Sequence, residues 1–528
     1  MSQLVYPVLA SILWVIAGFL GDASGEGRPI APTPGHAASQ PVSTTVPSAT
    51  VYLPLVMSKY HYAPDDYQDC RLGVGVTRNP ITTYDITPFK TGWYVDWNAR
   101  IMPGWRTYSG VEYVQTLRVR QNRGPNREYL PTYWISPALN FAPNGLGPIV
   151  QANPGSIWLI GNEPDSTHGQ DDTMPDMYAR IYHDAYYFIK GIDPTARIAN
   201  AALIQPTPLR LLYLDAVLAS YQAQFGTRMP VDVWNMHLYI IREVKNDWGG
   251  DYPPGIDAPI GRDYSLRDHV DINIFKSLVW DFRAWLNRNG YVDRPLIVTE
   301  WGVLMPFWFL TNENVTEEDA KNFLREAIAF MDTATDPVLG YSADNYRLVQ
   351  RHALYSLDDD STFDDGFDRW GSYLLRSTPP YTITSIGAFY QEQIAAPRRP
   401  VIDLFPYRVT TVPERLLSAG EPISPVVKVA IANAGNAAPS SAPAVRFYDV
   451  TDGAQTQIGS EIFALPKTGC GTLTEVSFIW PALTPGIHRL AVEVNPGGQV
   501  VEADLSNNRG VFNIYVFVNS VYLPLVLR

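Results

Sequence analysis

The segment IWLIGNEPDS, residues 157–166, begins with residues typical of a buried strand and ends in polar ones. Its branched and aromatic side chains favour a strand, and Asn162 and Glu163 stand where that strand stops. The segment LIVTEWG, residues 296–302, repeats this arrangement and runs from apolar residues into Glu300. Two strands that end at an acid indicate that these strand ends carry chemistry.

Apolar segments of this kind recur between residues 69 and 395 and alternate with amphipathic helices. Eight strands are predicted, at residues 71–77, 92–98, 113–120, 156–162, 196–203, 231–239, 295–302 and 351–357. Helices are predicted where apolar residues recur at helical spacing, at residues 177–191, 209–225, 272–288 and 317–333. Strand–helix units with continuously apolar strands favour a parallel sheet, and eight of them predict a closed (β/α)₈ TIM barrel.

After residue 400 the pattern changes to short alternating strands without a helix signal. Apolar and polar residues alternate in VVKVAIANAG, residues 426–435, and in HRLAVEV, residues 488–494. Strands of this kind predict an all-β immunoglobulin-like sandwich. The segments IANAGNA (431–437) and VNPGGQVVEADLSNN (494–508) resemble the CARDB module, a bacterial adhesion-related β-sandwich, and the resemblance spans residues 403–517.

The N-terminal 68 residues carry export and linker signals. Residues 1–25 contain an uncharged apolar run followed by small residues, which predicts a signal peptide, with a retained anchor as the alternative. Residues 26–68 form a linker rich in Pro, Ser and Thr. It contains the hexapeptide VYLPLV, which returns in the tail at residues 518–528 and is interpreted as edge-covering strands or as a tail recognised at the cell surface. We therefore expect a secreted or cell-surface protein.

The 528-residue length predicts two domains, and the net charge of −13 without a basic stripe argues against nucleic acid as a partner. Cys70 and Cys470 are the only cysteines, which excludes a disulfide-dense scaffold and a cysteine-based zinc site. A single bridge between them and two lone thiols both remain open. The acidic segment DDDSTFDD, residues 358–365, lacks the ligand spacing of a calcium loop, so a solvated acidic loop is favoured over calcium binding.

In a (β/α)₈ barrel, functional groups lie at the carboxyl ends of the strands. Glu163 ends the fourth predicted strand and Glu300 the seventh, so the two would face each other across the mouth. Glycoside cleavage uses such a pair, because one acid protonates the departing oxygen while a carboxylate meets the anomeric carbon. At GNEPD (161–165), WNMHLY (234–239) and VTEWG (298–302) the chain resembles the clan-A glycoside hydrolases, and within that clan the secreted endo-β-1,3-glucanase-like proteins.

The resemblance implies a retaining glycosidase, with Glu163 as the protonated acid/base and Glu300 as the ionised nucleophile. Asn162 would bind the sugar 2-hydroxyl. Further substrate-binding or orienting positions are His237, Tyr239, Trp301 and Trp97. Two features depart from the pattern. The eighth strand ends in Tyr355 in place of a tryptophan, and the arginine expected near the nucleophile is either Arg78 or Arg100.

Each of these residues also has a purely structural interpretation. The two acids could solvate strand ends, His237 could be a core histidine, and Trp97, Trp301 and Trp370 could pack under loops. A second hypothesis is an inactive carbohydrate-binding or adhesion protein on the same barrel. A third, a metal-dependent hydrolase, is disfavoured because the 8 histidines form no ligand pair at helical spacing. We expect a monomer that acts on carbohydrate without metal or cofactor and associates with a cell surface through its sandwich and tail.

Overall fold

A computed structural model describes residues 69–101, 111–305, 310–360, 373–395, 401–466 and 473–518. The predicted signal peptide, the linker with its VYLPLV segment, residues 519–528 of the predicted tail, Trp370 and Cys470 lie outside the described residues. No helix in these ranges is long and apolar enough to cross a membrane.

The N-terminal part is a mixed α/β structure whose strands pair mainly in parallel. Its strands are β1 (Asp69–Gly75), β2 (Thr91–Val95), β3 (Glu112–Tyr113), β4 (Gln115–Arg123), β5 (Tyr129–Ser136), β6 (Ile157–Ile160), β7 (Arg197–Asn200), β8 (Trp234–Leu238), β9 (Leu296–Trp301) and β10 (Arg351–Leu354). They form a six-stranded sheet in the order β3-β2-β1-β10-β9-β8 and a four-stranded sheet in the order β5-β4-β6-β7. Each predicted strand overlaps one of these strands.

The described strands form two sheets rather than one closed ladder, so the closed barrel that the sequence predicted is not established by strand pairing. At one junction a single parallel bridge joins Ala199 in β7 to Val233 just before β8. At the other, the backbone N–H of Val114 donates to Tyr94 and that of Thr116 to Asn98. Strand β5 was not predicted, and it pairs antiparallel with β4 as a hairpin.

Helices follow most of the parallel strands and cover the sheets. They are α1 (Leu146–Ala152), α2 (Pro175–Ile192), α3 (Pro208–Phe225), α4 (Ile272–Arg288), α5 (Glu317–Thr333) and α6 (Ser385–Ala395). The bounds of α4 and α5 match the predicted helices. Thr316 closes a capping box with Asp319, because each side chain accepts the backbone N–H of the other residue.

A small apolar cluster lies apart from the main core and takes side chains from successive strands of both sheets. Its buried members are Trp93, Val95, Val114, Ile157, Leu159, Ala199, Val233, Ile297 and Ala353. Trp93 fits there because Gly73 faces it: a Cβ on Gly73 would lie 2.4 Å from the indole Cε2 atom. The inward side chains of the two sheets thus share one packed interior.

The C-terminal part is all β. Its strands are β11 (Leu404–Val412), β12 (Leu416–Ser418), β13 (Val426–Asn433), β14 (Ala444–Asp449), β15 (Thr456–Gln457), β16 (Ile462–Phe463), β17 (Thr474–Ile479), β18 (Gly486–Val494) and β19 (Arg509–Val518). One sheet has the order β11-β13-β17 and the other β12-β19-β18-β14-β15. Val427, Val429 and Ile431 are buried between the sheets as the predicted alternation requires, and Ala430 between them is buried as well.

The all-β part packs against a turn that precedes β10. Tyr341 and Ala343 form a buried cluster with Ala432 of β13, and the Tyr407 hydroxyl lies 3.0 Å from Ser342 Oγ. Cys70 in β1 is disulfide-bonded, and the sequence contains one other cysteine, Cys470. These contacts lie near the starts of β1 and β10, whereas Glu163 and Glu300 lie at the ends of strands.

Candidate active site

Glu163, His237 and Glu300 come together at the carboxyl ends of three parallel strands. His237 and Glu300 are register partners across β8 and β9, while Glu163 follows β6. The Nδ1 atom of His237 lies 2.9 Å from Glu163 Oε1, and its Nε2 atom lies 3.3 Å from Glu300 Oε1. One oxygen of each glutamate and one His237 nitrogen all lie within 4.8 Å of one another. The imidazole therefore stands between the two carboxyl groups.

Two further donors hold the Glu300 carboxyl group. The Trp97 indole donates its Nε1 hydrogen to Oε1 over 2.8 Å, and the Tyr239 hydroxyl donates to Oε2 over 2.9 Å. Trp97 follows β2 and Tyr239 follows β8, so residues distant in sequence fix this side chain. Both hydrogen bonds favour the ionised carboxylate, as an attacking nucleophile requires.

Burial and neighbouring charges shift the pKa values of Glu300 and His237. Burial raises the pKa of Glu300 to about 7; the positive charge of His237 opposes this rise and the negative charge of Glu163 adds to it. Burial lowers the pKa of His237, but the charges of Glu300 and Glu163 outweigh it, so the net shift is upward. The hydrogen bonds from Tyr239 and Trp97 lower the pKa of Glu300 and so act against the rise that burial causes.

The backbone presents Glu163 in a constrained conformation. Its φ of 48° lies in the left-handed region, and its N–H donates to the carbonyl of Ala202 over 3.0 Å. Just before it, the N–H of Asn162 donates to Asp171 Oδ2 over 2.6 Å. A left-handed conformation costs energy in a residue with a side chain, so surrounding contacts must hold the Glu163 backbone in place.

A buried ion network that the sequence analysis missed supports the same loop. Arg210 in α3 donates from Nη1 to Asp165 Oδ2 and from Nε to Glu243 Oε1, and neither Arg210 nor Asp165 has exposed side-chain area. Its Nη2 atom donates to the carbonyl oxygens of Gly250 and Asp251. The network joins the segment that carries Glu163 to a second loop. The only sign of this network in the sequence was Asp165 within GNEPD. Arg210 lies far from it along the chain, so no local sequence pattern links the two residues.

Glu163 and Glu300 open into one pocket of about 680 Å³, a volume that includes its opening to solvent. The other lining residues are Ser166, His168, Gln170, Ile204, Tyr239, Ile241, Trp248, Gly249, Gly250, Leu304, Met305 and Tyr355. Three of these residues, Ser166, His168 and Gln170, follow Glu163 in the chain and have polar side chains. Aromatic and aliphatic side chains form much of the remaining pocket wall. An apolar cleft with a few convergent polar groups is typical of a small-molecule or sugar site.

Two predicted substrate-binding residues lie differently from expectation. Trp301 is fully buried in the main core against Phe275 and His352, so its assignment to substrate was wrong. Neighbouring side chains of a strand point to opposite faces, and Glu300 occupies the pocket face. Asn162 does not line the pocket, and its Nδ2 donates to Gln170 Oε1 over 3.2 Å.

The remaining predicted residues surround the acids. Trp97 binds Glu300, and its ring lies 5.7 Å from that of Tyr355, which lines the pocket. Arg78 pairs with Asp359, and Arg100 pairs with Asp96. The donors found on Glu300 are thus an indole and a phenol, in the place where an arginine was expected.

The acidic segment at residue 358 is partly internal. Asp358 is fully buried and accepts hydrogen bonds from the backbone N–H groups of Thr77, Arg78 and Asn79 and from the Tyr84 hydroxyl. The prediction of a solvated loop is therefore wrong for this residue, which instead ties β10 to the end of β1. Residues 361–365 lie outside the described residues.

Glu163, His237 and Glu300 are also the one group of side chains in the described ranges with the spacing for a metal ion. Their surroundings do not suit that role. Both Glu300 oxygens already accept hydrogen bonds, and the raised pKa of His237 favours the imidazolium, which has no lone pair for a metal. The donor set fits a proton-sharing site better than a metal site.

Comparison with known proteins identifies the C-terminal part. Residues 403–511 match the CARDB family model. This region is a CARDB domain. The CARDB domain of a Pyrococcus furiosus protein, solved with di-metal ions, is 19% identical, with a TM-score of 0.19, covering 23% of this chain and 98% of that one.

Solved structures that are similar over a larger part of the chain include glycosidases. A GH128 (subgroup I) endo-β-1,3-glucanase from Amycolatopsis mediterranei is 18% identical, with a TM-score of 0.37, covering 61% of this chain and 99% of that one. A glucosidase from Croceicoccus marinus is 13% identical, with a TM-score of 0.40, covering 79% of this chain and 94% of that one. No curated protein matches the chain by sequence.

Proposed function

We propose that this protein is a retaining glycoside hydrolase that cleaves a polysaccharide or glycan through Glu163 and Glu300. The observation that carries the proposal is the short distance between these two buried carboxyl groups. One carboxylate oxygen of Glu163 lies within 4.8 Å of one carboxylate oxygen of Glu300. Retaining glycosidases hold their carboxyl groups about 5–5.5 Å apart, whereas inverting ones need about 6.5–9.5 Å to admit a water molecule. The close spacing supports direct attack by a carboxylate.

We further propose that the parallel strands close into a (β/α)₈ barrel. The shared apolar interior around Trp93 and the bridge between Ala199 and Val233 support closure, since both connect the two sheets. In such a barrel Glu163 and Glu300 stand at the end where active sites form. The proposed catalytic domain spans residues 69–395, and the sandwich spans residues 403–517.

In the first step, Glu300 attacks the anomeric carbon while Glu163 gives its proton to the departing oxygen. A covalent glycosyl–enzyme forms and the glycosidic bond breaks. In the second step, Glu163 takes a proton from water, and that water releases the sugar from Glu300 with the starting configuration restored. Tyr239 and Trp97 favour the ionised form of Glu300, and His237, which lies between the two acids, stabilises the negative charge on either of them.

An inactive carbohydrate-binding protein remains the second candidate, because the pocket could hold a sugar without chemistry. This candidate is weaker because sugar binding alone does not require a carboxyl group that is buried beside a second acid. Burial in that position raises the pKa of Glu300 to about 7, which is typical of catalytic groups. The predicted export signal and the CARDB domain support a secreted or surface-attached location. We propose a monomer, and nucleic acid is not a proposed partner.

The experiment is reducing-end release over a panel of β-glucans, mannans, xylans and arabinogalactans, followed by NMR of the first product. Cleavage with retained configuration supports the proposal, and an inverted product contradicts it. Glu300→Gln should abolish turnover on every substrate. Glu163→Ala should still release activated aryl groups, with azide accelerating the second step, because such leaving groups need no proton. Normal activity in either variant would refute these assignments.

A further inference from the structure

Gln170 is a nearly buried residue of the pocket, with 5% of its surface exposed. It lies in the loop after β6 and lines the same space as Glu163 and Glu300. Its side-chain oxygen Oε1 accepts hydrogen bonds from Arg118 Nη2 over 3.0 Å and from Asn162 Nδ2 over 3.2 Å. Two neighbours thus fix one end of the amide.

The orientation of the Gln170 amide follows from the chemistry of Arg118. A guanidinium group donates hydrogen bonds and cannot accept them, so the atom facing Arg118 must be the amide oxygen. The amide NH₂ group therefore points the other way. Within the described part of the chain no acceptor bonds to this Nε2 atom, although the residue is almost wholly enclosed. This Nε2 atom is not one of the buried side-chain atoms that lack a partner, so it is open to the pocket, where an acceptor on a ligand can replace water.

The backbone of Gln170 is held as firmly as its side chain. Arg120 donates from Nη2 to the Gln170 carbonyl oxygen over 2.7 Å. Next to it, Asp171 accepts from Arg118 Nε over 2.8 Å and from the N–H of Asn162. Two arginines of β4 and the residue before Glu163 thus fix the amide before any ligand arrives, and a donor fixed in advance loses little entropy on binding.

We propose that the Gln170 amide donates a hydrogen bond to a hydroxyl of the sugar whose anomeric carbon is attacked by Glu300. This inference rests on the proposed function. The sugar in question is the one that shares the pocket with Glu300, and Gln170 lines that pocket whereas Asn162 does not. Gln170 thus adds an amide donor to this site, and Asn162 holds the oxygen end of that amide. Hydrogen bonds to that sugar strengthen in the transition state, so the contact acts on turnover.

The test compares Gln170→Leu with the parent protein on two substrates of the sugar cleaved in the panel, an oligosaccharide and an aryl glycoside. The kcat/KM should fall by about ten- to a hundredfold on both, because both place the same sugar over Glu300. Arg118→Met should give a smaller loss on both, since the amide is kept but no longer oriented. Gln224→Leu, on the outer surface of α3, should leave both values unchanged.

A second variant guards against a packing effect. Gln170→Glu keeps an acceptor for Arg118 but presents an oxygen in place of the donor nitrogen, so it should also lower kcat/KM while its Tm stays near that of the parent. Unchanged kcat/KM in both Gln170 variants overturns the inference. A loss confined to the oligosaccharide also overturns it, because the contact would then lie on the leaving group.

The proposed function and this inference can fail separately. A parent protein that cleaves a panel polysaccharide while Gln170→Leu is equally active refutes the inference alone. A parent protein that retards a polysaccharide in affinity electrophoresis without cleaving it refutes the enzyme; weaker retardation of Gln170→Leu would then still support the amide contact, and equal retardation would refute it. Failure to cleave or bind any panel member refutes both.

Discussion

Tyr239 donates its hydroxyl hydrogen to Oε2 of Glu300 over 2.9 Å, and both side chains are buried. Burial, with the nearby charge of Glu300, raises the pKa of Tyr239 well above its usual range, so the phenol remains a donor at every working pH. A hydrogen bond to the ionised form of a carboxyl group lowers its pKa. Tyr239 therefore limits the rise that burial imposes on Glu300.

Tyr239→Phe should move the acid limb of the kcat/KM profile to higher pH. The wild-type limb is expected near pH 7, where burial places the pKa of Glu300, and activity is lost below it as the nucleophile gains a proton. Removing the phenolic donor raises that pKa further, by roughly one unit. The measurement is kcat/KM against pH on an aryl glycoside.

Trp97→Phe should shift the same limb in the same direction, because the indole donates to the other oxygen of Glu300. Tyr187→Phe, on the exposed side of α2, is the matched control and should leave the profile in place. A limb that moves to lower pH in Tyr239→Phe would show that Glu300 is not the group that titrates there.

The regular elements were predictable because their signals are local. Helix α5 follows from apolar residues at helical spacing and from Thr316 with Asp319 at its start, and both bounds match. Glu163 and Glu300 were found in the same way, since each ends an apolar strand. Strand β5 was missed because Pro131 interrupts it and because its residues are half-exposed or exposed, so no regular alternation of apolar and polar residues marks it.

The orientation of side chains around the site was harder to predict. Trp301 adjoins Glu300 in sequence, yet the pleat turns it into the core. Arg210, Gln170 and Arg118 lie on separate elements, so only the folded chain brings them to the loop after β6. Spacing along a chain indicates which strand ends meet, but it does not indicate which donors surround each carboxyl group.

Glu300→Gln should stabilise the fold at high pH. The folded protein holds the Glu300 proton up to about pH 7, whereas the unfolded chain releases it near the ordinary value of 4.5. For a carboxyl group with a raised pKa, the stability of the fold falls as pH rises through this window. The amide removes that cost, by an amount on the order of 1–3 kcal/mol above pH 7.

Urea unfolding of Glu300→Gln and the parent at pH 4.5 and pH 8 measures this difference. The variant should gain at pH 8 and show little change at pH 4.5, where the parent carboxyl is protonated in the folded state and only half ionised in the unfolded chain. A gain of equal size at both values would indicate a packing effect instead of an ionisation effect.

Arg210→Met should destabilise the protein by about 3–5 kcal/mol, because it leaves the buried carboxylates of Asp165 and Glu243 without their partner. It should also lower kcat/KM, since Asp165 holds the loop of Glu163. Arg288→Met, at the exposed end of α4, should change neither quantity by much. Urea unfolding and kinetics on one aryl glycoside test both effects, and unchanged stability would show that the network is not needed for the fold.

The CARDB domain should affect stability without affecting chemistry. Its contacts with Tyr341 and Ser342 lie near the starts of β1 and β10, away from the strand ends that carry Glu163 and Glu300. Tyr407→Ala removes the ring and hydroxyl that meet this turn, so Tm should fall by roughly 2–5 °C while kcat/KM stays within twofold of the parent. Tyr515→Ala, on an exposed face of the sandwich, should change neither value. A large loss of activity in Tyr407→Ala would mean that the sandwich completes the site.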